Sequence, residues 1–214
     1  MIPENLPKGA VAQRGGTLYS VRPRTPLGEI SAEQLNVINS VVQDFNLPGV
    51  RVTAAQRLSI RGIPGEKVAE VIERLGPVGE LCHYYVQACL GTTGCRLAMQ
   101  DSMKLGARLE EFLNEFELPA KLKCGVSGCS MCCSESYVRD VGLVGTAKGW
   151  TVVFGGNAGK GVRKGDVIAE NVSDDKALEV IGKVLDFYRD NAKKKERTAR
   201  FVARVGIEAV LKAL

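Results

Sequence analysis

The sequence lacks a long apolar run, and it has few aromatic residues among the basic ones near its C-terminus. No apolar stretch in the 214 residues approaches the roughly 18 that a membrane-spanning helix needs. The N-terminal MIPENLPKGA has no charged start followed by an apolar segment, so we expect a cytoplasmic protein rather than a secreted one. Near the C-terminus only Phe201 lies among the basic residues, which argues against nucleic-acid binding.

Histidine is nearly absent, whereas cysteine is abundant. The single histidine, His83, stands beside Leu81, Tyr84 and Tyr85, and these neighbours favour a structural role over metal ligation. The chain has seven cysteines, an odd number. Without an export signal a disulfide framework is not expected, so metal binding or redox chemistry is the leading interpretation.

Positive charge is concentrated at the C-terminal end of the chain. Residues 191–214 hold seven basic and two acidic residues, which accounts for the whole net charge of +5. Such a segment is either a solvated helix face or a docking surface for an acidic protein, since a charged patch raises association rates. The basic residues are Lys193, Lys194, Lys195, Arg197, Arg200, Arg204 and Lys212.

The first part of the chain predicts a small α/β unit. A strand is expected over 17–21, a helix capped by Ser31, a strand or hairpin over 50–60 and a helix over 66–75. This order indicates a ferredoxin-like half-domain.

Alternation at period two within residues 50–61 separates apolar from basic side chains. It predicts that Val50, Val52 and other even-numbered apolar residues face the core, with Arg51, Arg57 and Arg61 on the opposite face. That arginine face is either solvated or lines a site for an anion or anionic cofactor, for which Arg51 is a candidate contact.

Gly76–Pro77 marks a boundary, so two domains are expected, 1–76 and 77–214. The second combines helices and strands and makes the whole chain α+β. It predicts a long helix over 96–116, a strand over 121–126, a cysteine-rich turn over 128–136, a strand over 150–154 and helices over 174–190 and 195–214.

Four cysteines form two spaced pairs, Cys89-x5-Cys95 and Cys129-x3-Cys133. Structural zinc prefers ligands two to four residues apart, so the five-residue gap suits it poorly, although Cys129-x2-Cys132 would fit. Four thiolates from two separate loops suit a [4Fe–4S] cluster. The glycines in both loops allow backbone N–H groups to approach the sulfur atoms.

With their surroundings, these pairs resemble the sirohaem-containing nitrite and sulfite reductases. The matching segments are LPAKLKCGVSGCSMCCSES, DVGLVGTAKGW and VVFGGNAG, and the overall size resembles the small, single-repeat, assimilatory-type members. The resemblance implies a ferredoxin-like half-domain followed by an iron–sulfur and sirohaem domain.

The resemblance also implies roles for individual residues. Cys89, Cys95, Cys129 and Cys133 would hold the cluster, and Cys133 would also bind the sirohaem iron. Lys121 and Lys123 would face the substrate and supply charge and protons. The glycine loop Gly155, Gly156 and Asn157 would hold sirohaem carboxylates.

One position departs from the family pattern T-x-R-Q. Here Thr53-AAQR places Ala55 where the family has arginine. Arg57 lies two residues further on and is expected on the same strand face, so it is the candidate replacement.

The expected function is six-electron reduction of sulfite to sulfide. Nitrite reduction on the same centre, a non-catalytic iron–sulfur electron-transfer or redox-sensing protein and a structural zinc protein are the alternatives. No flavin or nicotinamide fingerprint occurs, so a separate donor such as an acidic ferredoxin is expected. A one-repeat chain also suggests a homodimer.

Overall fold

A computed structural model describes residues 6–79 and 84–214. The chain divides into two compact units, Met1–Cys82 and His83–Leu214. Cys82, and the structural role predicted for His83, lie outside the described residues. Backbone hydrogen bonds join Pro77 and Gly79 to Arg24 and Arg22 of the first unit. The boundary after residue 76 stays a prediction.

The first unit is a four-stranded antiparallel sheet with two helices. Neighbouring strands follow the order β1-β2-β4-β3. The elements are, in chain order, β1 (Val11–Ala12), β2 (Leu18–Val21), α1 (Ala32–Asp44), β3 (Val50–Val52), β4 (Leu58–Pro64) and α2 (Val68–Leu75).

The helix prediction at Ser31 and the strand or hairpin predicted over 50–60 are confirmed, whereas the predicted burial of Val50 and Val52 is wrong. The Ser31 hydroxyl accepts a hydrogen bond from Gln34 N at 3.1 Å and so caps α1. Val50 and Val52, expected in the core, are 45% and 73% exposed. They pair with Ile60 and Leu58 on the buried side of β4, but β3 is an edge strand.

The second unit is built on a five-stranded mixed sheet of order β5-β6-β7-β8-β9. Strands β5, β6 and β7 run parallel, and β8 and β9 continue antiparallel. The elements are β5 (Tyr84–Ala88), α3 (Ser102–Phe112), β6 (Leu122–Ser127), β7 (Val141–Thr146), β8 (Gly149–Phe154), β9 (Asp166–Val172), α4 (Asp174–Asn191), α5 (Thr198–Val205) and α6 (Ile207–Leu211).

Two helices of the second unit differ from their predicted bounds. Helix α3 begins six residues later than expected, because the Asp101 carboxylate caps it by accepting from Lys104 N at 3.0 Å. The expected C-terminal helix is divided into α5 and α6 at Gly206, which has φ +84°.

Strands β1, β5, β7 and β9 were not predicted. In β7 the apolar run is broken by Gly142 and Gly145, so its composition is a weak strand signal. Within the two described ranges, no helix is both long and apolar enough to cross a membrane.

Candidate functional site

The two cysteine pairs follow neighbouring parallel strands. Cys89 comes directly after β5, and Cys129 comes two residues after β6. Ala88 is paired with Val126 in the ladder that joins these strands. We call this end of the sheet the carboxyl edge, because β5, β6 and β7 all end there. Parallel strands therefore bring two distant sequence motifs to one place.

The two cysteine loops are locked together through their backbones. Met99 N and Gln100 N both donate to the Gly128 carbonyl oxygen, at 2.8 and 3.0 Å. A Cβ at Gly128 would lie 2.8 Å from Gln100 O and 2.9 Å from Gly91 Cα. Glycine is required here because no side chain fits between the loops. Residues 96–101, predicted as helix, instead support the cysteine loops.

The sulfur of Cys89 already has hydrogen-bonding neighbours. Gly128 N donates to Cys89 Sγ at 3.1 Å, and Ser102 Oγ lies 3.3 Å from the same sulfur. Ser102 is fully buried at the start of α3 and also donates to the Cys89 carbonyl oxygen at 2.7 Å. The Gly128 N–H is the donor to this sulfur, and such a donor orients a ligand and stabilises its thiolate.

The other candidate ligands differ in exposure. Cys129 is buried, Cys95 is half-buried and Cys133 is exposed. Among the described residues, no three His, Cys, Asp or Glu side chains are grouped closely enough to hold one metal ion. A four-iron cube takes its thiolates at separate corners, so it needs a wider arrangement. Four thiols on two fixed loops, with a backbone donor at one sulfur, fit that group.

Two further cysteines lie close in sequence to this set. Cys124 is fully buried in β6, and burial, with the Asp140 carboxylate nearby, raises the pKa of its thiol. A thiol buried in this way packs as a small apolar side chain. Cys132 is half-buried and has φ +55°, and its backbone donates to Cys129 O at 3.1 Å.

The two candidate substrate lysines lie at the opposite end of β6. Lys121 is exposed just before the strand, and Lys123 is half-buried within it. Leu122 and Cys124, between and after them, are fully buried, as the alternation predicted. The ammonium of Lys121 lies 5.2 Å from the ring centroid of Tyr85. This end is called the amino edge below.

Sequence reasoning missed Arg139 and Asp140, which are buried at the amino edge before β7. Asp140 is 1% exposed, and its carboxylate accepts from Lys123 N at 2.8 Å, from Thr198 Oγ1 at 2.5 Å and from Arg197 Nε at 3.2 Å. The signal was present as two adjacent charges directly before an apolar strand. The partners of Asp140 were too distant in sequence to predict.

The predicted glycine loop is hydrogen-bonded to the Arg139–Asp140 dipeptide. Gly155 N donates to Asp140 O at 2.8 Å. A Cβ at Gly156 would lie 2.5 Å from Arg139 O, so this glycine allows close backbone approach. The Asn157 amide donates to Gly161 O at 2.7 Å within the loop.

A second arginine missed by sequence reasoning supports this loop. Arg163 Nη1 donates to Gly155 O at 2.9 Å, and its Nη2 pairs with the Asp166 carboxylate at 2.5 Å. Backbone hydrogen bonds run in both directions between Asn157 and Arg163, at 2.8 and 2.9 Å. The loop is therefore held in a defined shape beside the start of β7.

The first unit contains Arg51 and Arg57. The structure contradicts the prediction that Arg57 lies on a strand face with residue 55. Residues 53–57 form the turn between β3 and β4, in which Thr53 N donates to Arg57 O at 2.8 Å. Ala55 is therefore not on a strand, and Arg57 does not share a strand face with it. Arg51 is exposed on β3, opposite Ser59.

Only part of the positive charge of the C-terminal segment is exposed at the protein surface. Arg197 pairs with the buried Asp140 carboxylate, and Arg204 pairs with Glu196 at 2.7 Å. Lys193, Lys194 and Lys195 are exposed. Lys195 N donates to Pro119 O at 2.8 Å, which places this lysine loop at the amino edge.

Comparison with protein families covers nearly the whole chain. The nitrite and sulphite reductase 4Fe-4S domain matches residues 81–214, and the nitrite/sulfite reductase ferredoxin-like half domain matches residues 11–78. The chain belongs to the nitrite and sulfite reductase family. The two cysteine loops and both candidate lysines lie within the 4Fe-4S domain, as the resemblance implied.

Individual relatives within the nitrite and sulfite reductase family differ in length. An assimilatory-type sulfite reductase of Nitratidesulfovibrio vulgaris is 46% identical over 97% of this chain and 97% of its own. A nitrite reductase [NAD(P)H] of Bacillus subtilis is 35% identical over 94% of this chain but only 26% of its own length. The nitrite reductase (NADH) large subunit of Escherichia coli is 37% identical, over 87% of this chain and 23% of its own.

Solved structures with this family fold support the architecture. The NirA protein of Mycobacterium tuberculosis matches with a TM-score of 0.79 at 22% identity, over 95% of this chain and 41% of that one. Dissimilatory sulfite reductase I also matches with a TM-score of 0.79, at 15% identity, over 93% of this chain and 69% of that one. The predicted fold, a ferredoxin-like half-domain followed by a 4Fe-4S domain, is therefore confirmed.

Proposed function

We propose that this chain is a sulfite reductase that carries sirohaem and a [4Fe–4S] cluster and reduces sulfite to sulfide with six electrons. The carrying observation is that the two cysteine loops are locked together at Gly128, while Arg139 bonds both to Ser134, next to Cys133, and to Tyr85, whose ring lies beside Lys121. The 46% identity to an assimilatory-type sulfite reductase over nearly both chains supports sulfite over nitrite. The metal centres, when bound, supply electron storage and delivery to the sulfur atom.

In this proposal the protein contributes ligands, charge and protons. Cys89, Cys95, Cys129 and Cys133 are the cluster ligands. Cys133, the exposed member, would also bind the sirohaem iron. Gly128 N keeps the Cys89 sulfur oriented, and Ser102 Oγ holds the Cys89 carbonyl oxygen.

Lys121 and Lys123 would hold the oxyanion and its charge, because ammonium groups beside an anion stabilise it more strongly out of bulk water. Each is also a proton donor to oxygen leaving as water. Gly155, Gly156 and Asn157 would contact sirohaem carboxylates. Arg51 as a cofactor contact and Arg57 as a substrate contact stay predictions for the first unit.

The electron donor is proposed to be a small acidic protein such as a ferredoxin. The exposed lysine loop at Lys193–195 supports this, since its charge attracts an acidic partner. The loop lies at the amino edge, and β6 spans about 20 Å from there to the cysteine loops. We therefore expect the lysine loop to raise the association rate of the donor rather than to bring the donor into direct contact with the cluster.

Two further proposals concern assembly and location. A one-repeat chain would form a homodimer, which a mass measurement of the cofactor-loaded protein by light scattering tests directly. A monomer mass would reject the dimer. The cytoplasm is the proposed location, because its reducing conditions keep cysteine thiols free for iron.

The deciding experiment is a visible absorption spectrum of protein made anaerobically with sirohaem, recorded before and after sulfite is added. We expect a Soret band and a lower-energy chlorin band that both shift with sulfite. Cluster absorption alone would favour an electron-transfer or redox-sensing protein, and colourless protein with bound zinc would favour a zinc site. Steady-state rates with sulfite and nitrite then separate the two substrates.

A further inference from the structure

Arg139 is a buried arginine whose guanidinium contacts three other residues. The residue is 7% exposed. Its Nη2 lies 2.8 Å from Glu135 Oε2, its Nη1 donates to Tyr85 Oη at 3.3 Å and its Nε donates to Ser134 O at 3.4 Å. A guanidinium has five N–H donors in a fixed plane, so it can hold several acceptors in set directions, whereas an ammonium cannot.

Two of these contacts lead to groups with proposed roles. Ser134 is the residue after Cys133 in the second cysteine loop. Tyr85 carries the ammonium of Lys121 over its ring, 5.2 Å from the centroid. The guanidinium therefore connects the backbone beside a proposed iron ligand with the aromatic ring beside a proposed substrate lysine.

Strand β6 leaves room for the Arg139 side chain at Gly125. A Cβ at Gly125 of β6 would lie 3.0 Å from Arg139 Cγ and 2.5 Å from Ser134 O. Tyr85 and Gly125 lie on the paired strands β5 and β6, which fixes the tyrosine beside the arginine. The glycine makes room for the arginine and the carbonyl oxygen together.

Stability alone does not account for a guanidinium in this place. Its carboxylate partner, Glu135, has a side chain that is 59% exposed, so that pair gains little from burial. Desolvation of the buried guanidinium offsets much of the remaining gain. An arginine at this position holds three acceptors in fixed directions, which an apolar side chain would not do.

We propose that Arg139 is a positioning residue that fixes Tyr85, and through its ring the Lys121 ammonium, relative to the Cys133 loop. The proposal rests on the proposed function, since it assigns Lys121 to the oxyanion. Without this anchor Lys121 samples more rotamers, and the oxyanion is held less firmly. Sulfite binding is weakened, while the cluster ligands themselves stay in place.

The test is a double-mutant cycle on the fully loaded enzyme, read from the sulfite-induced shift of the visible spectrum. Arg139→Lys keeps the charge and loses the three-way geometry. We expect it to raise the Kd for sulfite about fivefold where Lys121 is present and by less than about twofold in a Lys121→Met background. Equal factors in both backgrounds would overturn the proposal.

Tyr85→Phe is the second variant, because it keeps the ring under Lys121 and removes only the hydroxyl that Arg139 holds. It should raise the Kd in the same direction and add little to Arg139→Lys. Arg108→Lys is the matched control, an arginine of the same unit that pairs with Asp175 at the surface. It should leave the Kd unchanged, and an equal rise there would overturn the proposal.

Iron and sirohaem contents of every variant provide a readout independent of sulfite. We expect them to equal those of the unaltered enzyme, and loss of cofactor in Tyr85→Phe would overturn a positioning role in favour of a structural one. If the unaltered, loaded enzyme shows no sulfite-induced shift, the proposed function itself fails. A normal shift with no change in either variant rejects only the role of Arg139.

Discussion

The two ends of strand β6 are built in different ways. At the carboxyl edge, the cysteine loops are held by backbone hydrogen bonds and by contacts that only glycine permits. At the amino edge, Lys121, Lys123 and the Arg139–Asp140 dipeptide are held by charge and side-chain hydrogen bonds. Soft thiolate ligands need fixed backbone geometry, whereas an oxyanion needs directed positive charge.

Disruption of the carboxyl edge should have the largest effect. In Gly128→Ala the new Cβ meets Gln100 O and Gly91 Cα at less than 3.0 Å, so the cysteine loops must move apart. We expect most of the bound iron to be lost, as measured by iron and sulfide content. Gly94→Ala is the matched control, since its Cβ would only touch the flexible side chain of Leu90, 3.4 Å away. Equal iron loss in both variants would contradict this account.

At the amino edge, Asp140→Asn should reduce stability strongly. The buried carboxylate balances Arg197 and accepts from Thr198 and Lys123, so its neutralisation leaves a cation without its partner. We expect a loss of about 3 kcal/mol in the free energy of unfolding, measured with urea. Asp186→Asn, which breaks a surface pair with Arg189, should cost no more than about 1 kcal/mol. Similar losses would show that burial of Asp140 does not matter.

Charge reversal at Lys193, Lys194 and Lys195 tests which edge receives the donor. We expect the triple Glu variant to lower the rate of reduction by an acidic ferredoxin about tenfold at low ionic strength, with a small dye unaffected. Added salt should shrink the difference. Equal loss with both donors would reject docking. A larger effect from Lys148→Glu, in the turn between β7 and β8, would move the docking surface to the carboxyl edge.

The smallest expected effect concerns acid stability at the connection between α4 and α5. The Arg204 guanidinium and the Lys193 N–H lower the pKa of Glu196 from 4.5 to about 2. A depressed carboxyl pKa adds stability above the unfolded value, and that stability is lost as the pH falls from 4.5 towards 2. Glu196→Gln should therefore lower the melting temperature by a few degrees at pH 6, and less at pH 3. A difference independent of pH would contradict this assignment.

The parts of the site that lie close together in sequence were the predictable ones. The cysteine spacings and surrounding motifs predicted the family and its 4Fe-4S domain, and alternation predicted buried Leu122 beside the two lysines. Ser31 predicted its own helix start because capping acts over three residues. Each of these depends on local geometry, which the order of residues fixes directly.

Predictions failed where distant segments set the conformation. Residues 96–101 were predicted as the start of a helix, yet two of their N–H groups bond to Gly128 instead. Val50 and Val52 alternate as core residues should, but β3 is an edge strand on which they stay exposed. Period two gives the face of a strand and says nothing about whether a helix covers it.

The sequence by itself therefore determined the family and the cofactor class, and it singled out the two cysteine pairs and the two lysines as candidate site residues. Only the tertiary structure decided that Arg139 contacts Tyr85 and that Asp140 joins the Lys123 backbone to Arg197 and Thr198, because Tyr85, Arg197 and Thr198 lie more than 50 residues away along the chain. A buried charge takes whichever partners the fold brings to it, and that choice depends on strand order and register rather than on neighbouring residues.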